Sequence, residues 1–220
     1  MAVRSDTADK RSSLLISPLY WIADVALVGE TALEEVARSA IGAGLRLLQY
    51  RDKRPSKRDR YELARTLAAL CHGAGATFVV NDDIDLAFAV DASGVHLGQD
   101  DFPVGMARQV LGESKLIGCS AHTVDLARAA AAEGADYLGA GPVFLSATKM
   151  ARPALGCAVL GEICAAVRVP VYGIGGITVE RCRQVMAAGA SGVAVASALS
   201  PGKIQAETRR FLEALRSRDV

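Results

Sequence analysis

Phe78-Val79-Val80-Asn81-Asp82-Asp83 begins as an apolar, β-branched run and ends in an amide and two carboxylates. Gly94-Val95-His96-Leu97-Gly98-Gln99-Asp100-Asp101 repeats the arrangement a short distance on. Brief apolar runs with polar residues gathered at one end are the pattern of parallel strands buried on both faces, whose C-terminal ends carry chemistry. Carboxylates at two successive strand ends, with an amide beside them, suit a hard cation such as Mg²⁺.

Outward from this pair, the chain keeps alternating short apolar runs with helical patterns. Strands are predicted over 14–22 (with Pro18 bending the middle), 45–50, 77–80, 94–97, 115–119, 135–139, 169–174 and 192–196. Helices are predicted from Thr31 to Ile41, Ser56 to Gly73, Ile84 to Val90, Pro103 to Gly112, Thr123 to Glu133, Leu155 to Val167, Thr178 to Ala188 and Lys203 to Leu215. An irregular loop follows the sixth strand to about Arg152. Alternation at this spacing requires a parallel sheet with right-handed crossovers, and eight units close naturally into a single (β/α)₈ TIM barrel of the α/β class. An open doubly wound sheet is the alternative, but no G-x-G-x-x-G follows the first strand.

Size and charge agree with one such domain, over 14–220, behind a polar and disordered lead-in at 1–13 that lacks the apolar core of a signal peptide. The 220 residues are 51% hydrophobic with a net charge of +1, which offers no electrostatic case for nucleic acid. No apolar run approaches the ~18 residues of a membrane span. The five cysteines, at 71, 119, 157, 164 and 182, have no C-x-x-C spacing, so they read as buried thiols of a reduced, cytoplasmic protein. Many of the 21 glycines directly follow apolar runs, where tight turns or close approach to a ligand need them.

In this fold the reactive face is the C-terminal rim of the strands. The residues just past each strand are Gln49, Arg51 and Lys53; Asn81 and Asp82; Gln99 and Asp101; Ser120; Gly141, Ser146, Thr148 and Lys149; Gly175 and Gly176; and Ser197. They fall into three groups. Gly173-Ile174-Gly175-Gly176-Ile177-Thr178 and Ala196-Ser197 form a cup of backbone N–H groups for a phosphate, or a plain glycine turn. Arg51, Lys53 and Lys149 exceed the needs of one monophosphate and fit a diphosphate bridged by Mg²⁺; Arg51-Asp52-Lys53-Arg54 also reads as a solvated charged loop. Asp82 and Asp101 stand where a metal ligand or a helix N-cap belongs, and both readings are open. Of the histidines, His72 ends a helix, His96 is a hydrogen-bonded structural residue in its strand, and His122 is placed for acid/base chemistry.

With these residues in view, the chain resembles the thiamine-phosphate synthase family. The resemblance lies in Gln49-Tyr50-Arg51-Asp52-Lys53, Asn81-Asp82, Gly94 to Asp101, and Ile117-Gly118-Cys119-Ser120-Ala121-His122-Thr123. It continues through Ala135-Asp136-Tyr137-Leu138-Gly139, Gly141-Pro142-Val143-Phe144, Thr148-Lys149 and Gly173 to Ile177. The most specific block is Gly-x-His-Leu-Gly-x-x-Asp.

The resemblance implies a TIM-barrel transferase that joins a hydroxymethylpyrimidine diphosphate to a hydroxyethylthiazole phosphate. By that likeness Gln49, Tyr50, Arg51, Asp52 and Lys53 hold the pyrimidine diphosphate, Asn81 the pyrimidine ring, and Asp82 with Asp101 the Mg²⁺. Ser120 and Lys149 contact the pyrimidine substrate and its leaving group, with Arg51 beside them. Ser146, Ala147, Thr148, Gly176, Ala196 and Ser197 hold the thiazole phosphate. Two positions depart from the family pattern: Ser146 replaces a threonine, and Ala196 a larger branched residue. The implied partners are small molecules, with a homo-oligomer left open. The rival readings are a thiazole tautomerase on the same fold, using His122 and no metal, and a non-catalytic barrel that binds phosphorylated metabolites.

Overall fold

The computed structural model describes residues 17–145, 153–199 and 201–216. Eight parallel strands close into a barrel in sequence order. They are β1 (Leu19–Asp24), β2 (Leu47–Arg51), β3 (Thr77–Asn81), β4 (Gly94–Leu97), β5 (Leu116–Ala121), β6 (Tyr137–Ala140), β7 (Val171–Ile174) and β8 (Gly192–Val195). Closure is made where β1 pairs with β8, Leu19 opposite Val193 and Trp21 opposite Val195.

The helices are α1 (Val25–Val28), α2 (Glu30–Gly42), α3 (Lys57–Gly73), α4 (Ile84–Ala89), α5 (Val104–Leu111), α6 (Val124–Ala132), α7 (Gly156–Ala166), α8 (Cys182–Ala187) and α9 (Ile204–Arg216). None of them is long and apolar enough to cross a membrane. Their starts follow local chemistry: the Ser56 hydroxyl accepts from Asp59 N at 3.2 Å and the Thr123 hydroxyl from Leu126 N at 3.2 Å. Such caps contribute about 1 kcal/mol each.

The first strand departs from expectation. It begins after Pro18 and runs to Asp24, so the proline precedes the strand instead of bending it; residues 14–16 lie outside the described residues. Proline has no N–H to give a ladder and is tolerated at a strand's start. The chain then makes the short helix α1, capped by Asp24, which accepts from Ala26 N at 2.9 Å. Gly29 occupies the cap position of α2, and Thr31 lies inside that helix.

Alternation along each strand sorts the side chains into two layers. Leu19, Trp21, Leu48, Tyr50, Phe78, Val80, Val95, Leu97, Ile117 and Leu138 join the large apolar layer between strands and helices. Tyr20, Ile22, Leu47, Val79, Tyr137, Tyr172 and Ala194 fill the interior. Three tyrosine rings meet there edge to face, with centroids 5.5–5.9 Å apart. Glycines on neighbouring strands make room for them: a Cβ on Gly118 would sit 2.1 Å from the Tyr137 ring.

Candidate active site

The same alternation decides which rim residues face the barrel mouth. Gln49, Asn81, Ser120, Ile174 and Ala196 continue the interior rows and line one cavity of about 590 Å³, together with Arg51, His96, His122, Gly175, Gly176 and Ser197. Cavities of this size hold small-molecule ligands.

On the β1–β4 side of the mouth polar side chains are paired: Asp24, Arg51, Asn81 and Gly98 line the cavity, while Lys53, Asp82 and Asp101 stand beside it and are not among its lining residues. Arg51 is ion-paired to Asp24, and Lys53 to Asp82. Asn81 Nδ2 donates to Asp82 Oδ2 at 2.6 Å, and the Gly98 N–H donates to Asp101 Oδ2 at 2.7 Å. Partial desolvation, and then contact with the Asp82 carboxylate, push the carboxyl of Asp101, an exposed residue, above the usual carboxylate range. Neither residue is a helix cap: Asp83 and Pro103 hold the cap positions of α4 and α5. Asp82 also carries a φ of 63°, uncommon for a residue with a side chain and frequent at functional sites.

Two carboxylates brought together, one of them resisting ionisation, are a donor set that a hard dication fits. Such an ion would relieve the charge conflict, and the Asn81 amide stands beside the pair. Mg²⁺ usually takes one or two protein carboxylates and completes its shell with water and substrate phosphate oxygens. No group of three or more His, Cys, Asp or Glu forms among the described residues, so a complete protein cage is not present there.

Of the Gln49–Lys53 block, Gln49 and Arg51 line the cavity, and Lys53 stands outside it against Asp82. Tyr50 and Asp52 point into the helix layer, because the strand alternation turns them outward. The Tyr50 hydroxyl donates to Asp52 Oδ2 at 2.6 Å, and Asp52 accepts from Arg54 through the guanidinium (Nη2 at 2.7 Å) and the backbone N–H (2.9 Å). Arg54 reaches on to Glu30. Burial opposes ionisation of Asp52, but Arg54 and Tyr50 outweigh it and hold its carboxyl below the usual range. These two residues anchor the loop that presents Arg51 and Lys53.

Across the mouth the structure is backbone. Gly175 and Gly176 have φ of 97° and 62°. A Cβ on Gly176 would come within 2.6 Å of the Leu145 carbonyl oxygen, and one on Gly175 within 2.6 Å of Pro142. Arg181 holds this turn by donating to Gly176 O at 2.6 Å while its guanidinium stacks 4.6 Å over the Phe144 ring. Ser146, Ala147, Thr148 and Lys149 lie outside the described residues.

Sequence reading missed two contributors. Asp24 lines the cavity and holds Arg51, but a first strand placed too early left no rim residue from β1. Arg181 stood in a helical pattern with no motif to single it out.

A closed parallel barrel with acids and cations on one side of its mouth and a glycine turn on the other defines an enzyme class: phosphate-handling (β/α)₈ barrels. The model of the thiamine monophosphate synthase family matches residues 19–199. The chain is 43% identical to thiamine-phosphate synthase of Moorella thermoacetica over 197 residues, 89% of this chain and 94% of that protein. It is 45% identical to thiamine-phosphate synthase of Haloarcula marismortui over 181 residues, 80% of this chain and 86% of that one. Against thiamine-phosphate synthase of Prochlorococcus marinus (strain MIT 9313) it is 44% identical and spans 52% of the relative's length. The solved structure of thiamine phosphate pyrophosphorylase from Pyrococcus furiosus superposes with a TM-score of 0.82 at 35% identity, covering 93% of this chain and 96% of that one. The chain belongs to the thiamine monophosphate synthase family.

Proposed function

We propose that this enzyme joins 4-amino-2-methyl-5-hydroxymethylpyrimidine diphosphate to 4-methyl-5-hydroxyethylthiazole phosphate, giving thiamine phosphate and diphosphate. The observation that carries the proposal is the two-sided mouth, with Arg51 on one wall, the Lys53–Asp82 pair and Asp101 beside that wall, and the Gly175–Gly176 turn across from it. A diphosphate and a monophosphate are the two anions such walls suit.

In this reading Asp82 and Asp101 hold Mg²⁺, which supplies charge neutralisation on the diphosphate oxygens when bound. Arg51 and Lys53 exchange their carboxylate partners for phosphate oxygens, and Lys149 adds a third cation. The pyrimidine methylene–oxygen bond breaks and the diphosphate leaves with the bonding pair. The resulting pyrimidine cation, stabilised by its amino group, is captured by the thiazole nitrogen as the new carbon–nitrogen bond forms. The chain needs no covalent nucleophile: it holds two substrates in register and stabilises the departing charge. Gly176, Ala196 and Ser197, with Ser146, Ala147 and Thr148, seat the thiazole phosphate.

The test is direct. Mixing both substrates with Mg²⁺ should produce thiamine phosphate and diphosphate in equal amounts. Binding of both substrates without product would leave a phosphometabolite-binding barrel instead. Turnover of the thiazole alone, insensitive to a chelator, would favour the tautomerase reading with His122 as its acid/base group.

A further inference from the structure

A buried hydrogen-bond chain crosses the barrel beneath the mouth, and its interior members, Tyr20, Tyr137 and His96, have no part in the reaction proposed above. Gln49 Nε2 donates to Tyr20 Oη at 2.5 Å, and Tyr20 Oη meets Tyr137 Oη at 2.8 Å. Tyr137 Oη then meets His96 Nδ1 at 3.2 Å, and His96 Nε2 meets Ser120 Oγ at 3.0 Å. Both ends, Gln49 and Ser120, line the cavity. The tyrosines between them are buried, Tyr137 completely. The rings are held in slots: the His96 ring lies 3.2 Å from where a Cβ on Gly139 would stand, and Tyr137 fills the space above Gly118. Burial pushes the Tyr20 and Tyr137 phenols above their usual range, so both remain protonated donors.

A phenol carries one hydrogen and a neutral imidazole one N–H, which makes the chain directional. Tyr20 accepts from Gln49 and therefore donates to Tyr137. Tyr137 donates to Nδ1 of His96, leaving His96 as the Nε2–H tautomer that donates to Ser120 Oγ. Ser120 then has its own hydrogen for the cavity, and Gln49 has Oε1. Turning the Gln49 amide over reverses every bond, so that Ser120 donates to His96 and faces the cavity as an acceptor. The two ends switch only together.

We infer that Tyr20, Tyr137 and His96 are positioning residues that fix Ser120 as a donor and Gln49 as an acceptor, and thereby select an aminopyrimidine over its oxo analogue. An aminopyrimidine offers amine hydrogens on one side and a ring-nitrogen lone pair across the ring, matching both ends at once. The oxo analogue sets a carbonyl oxygen against Gln49 Oε1. Reversing the chain to relieve this sets the ring lone pair against an accepting Ser120. For the tautomer protonated beside the carbonyl one end is mismatched either way; a match needs the reversed chain together with the tautomer protonated across the ring, and unpaired polar contacts of this kind discriminate strongly. The match to an aminopyrimidine rests on the proposed function; the polarity of the chain does not.

The first measurement is ¹⁵N-histidine NMR on the whole protein, with His96 assigned by the loss of its signals in His96→Asn. A proton on Nε2 and an accepting Nδ1 are expected; a proton on Nδ1 overturns the proposal. The second is a double-mutant cycle. Tyr137→Phe should lower kcat about tenfold or more, leave KM for the thiazole phosphate unchanged, and add nothing to the loss in Ser120→Ala. It should also narrow the preference for the amino over the oxo pyrimidine diphosphate. Losses that multiply, or an unchanged preference, overturn the assignment. Should Tyr137→Phe not fold, the wild-type tautomer and the same cycle with Tyr20→Phe decide the matter. Absence of thiamine phosphate from the wild-type reaction would remove the proposed function and leave the tautomer result standing.

Discussion

The two walls of the mouth are built from different materials. From β1 to β4 the mouth and its immediate surround carry charged side chains already in contact with one another: Arg51 with Asp24 on the cavity wall, and beside it Lys53 with Asp82 and Asp82 against Asp101. From β6 to β8 the described surface is glycine backbone, bent into positive φ at Gly175 and Gly176 and braced by Arg181. The first wall works by exchanging partners, since its cations must leave carboxylates to meet a ligand. The second has little to exchange and works by leaving room. Ions and charge changes should therefore act on the first wall, and added bulk on the second.

Removing the metal should have the largest effect. A chelator is expected to abolish thiamine phosphate formation and excess Mg²⁺ to restore it; full turnover in the chelator would break the reading of the carboxylate wall. Asp101→Asn should cost on the order of 10²–10³ in rate, the usual loss for one electrostatic group at developing charge. Its stability should hold, because the substitution deletes a carboxylate set against Asp82 at an exposed residue while keeping an acceptor for the Gly98 N–H. A urea midpoint below the wild type would refute that charge conflict.

The glycine wall is next. Gly176→Ala puts a Cβ 2.6 Å from the Leu145 carbonyl oxygen at a residue with φ of 62°. The left-handed conformation alone costs about 1–2 kcal/mol for a residue with a side chain. KM for the thiazole phosphate should rise about tenfold, as expected when uniform binding is lost, with KM for the pyrimidine diphosphate unchanged. A rise in both would mean that the two walls are not separable.

The same contrast explains what the sequence could disclose. Strand alternation and glycine placement made the barrel readable, and β4 was placed residue for residue at Gly94–Leu97. Asp82 and Asp101 were visible as acids at strand ends, yet setting the capping reading aside needed the structure, in which Asp83 and Pro103 hold the cap positions. Tyr50 and Asp52 misled because a contiguous motif does not reveal which way each residue turns, and alternation sends every second one to the helix layer. The Gln49-to-Ser120 chain links five strands, so no local pattern contains it. Asp24 was hidden because the predicted first strand ends at Ile22, two residues before its observed end.

Asp52 tests the border between scaffold and site. Asp52→Asn should destabilise the fold by about 1–3 kcal/mol, since Arg54 loses the more buried of its two charge partners but keeps Glu30 and remains partly solvated. The cost should appear in urea unfolding, with both KM values near wild type. Because the folded carboxyl is held below its usual range, its contribution is full above pH ~4 and fades as pH falls through the folded value. The wild type and the variant should therefore converge in acid. A large rise in KM for the diphosphate would return Asp52 to the mouth.

The smallest effect is expected at Lys57, and it sharpens what distinguishes the first wall from an ordinary charged surface. Lys57 pairs with Asp85 at 2.6 Å much as Lys53 pairs with Asp82. Its side chain is 73% exposed and Asp85's 64%, whereas Asp82 is 18% exposed and in contact with a second acid. A pair in open solvent gains little from its charges and is screened by salt. Lys57→Ala should leave the urea midpoint and both KM values unchanged, while Lys53→Ala raises KM for the pyrimidine diphosphate. Equal effects from the two lysines would show that net positive charge near α3, and not the particular cation beside Asp82, attracts the diphosphate.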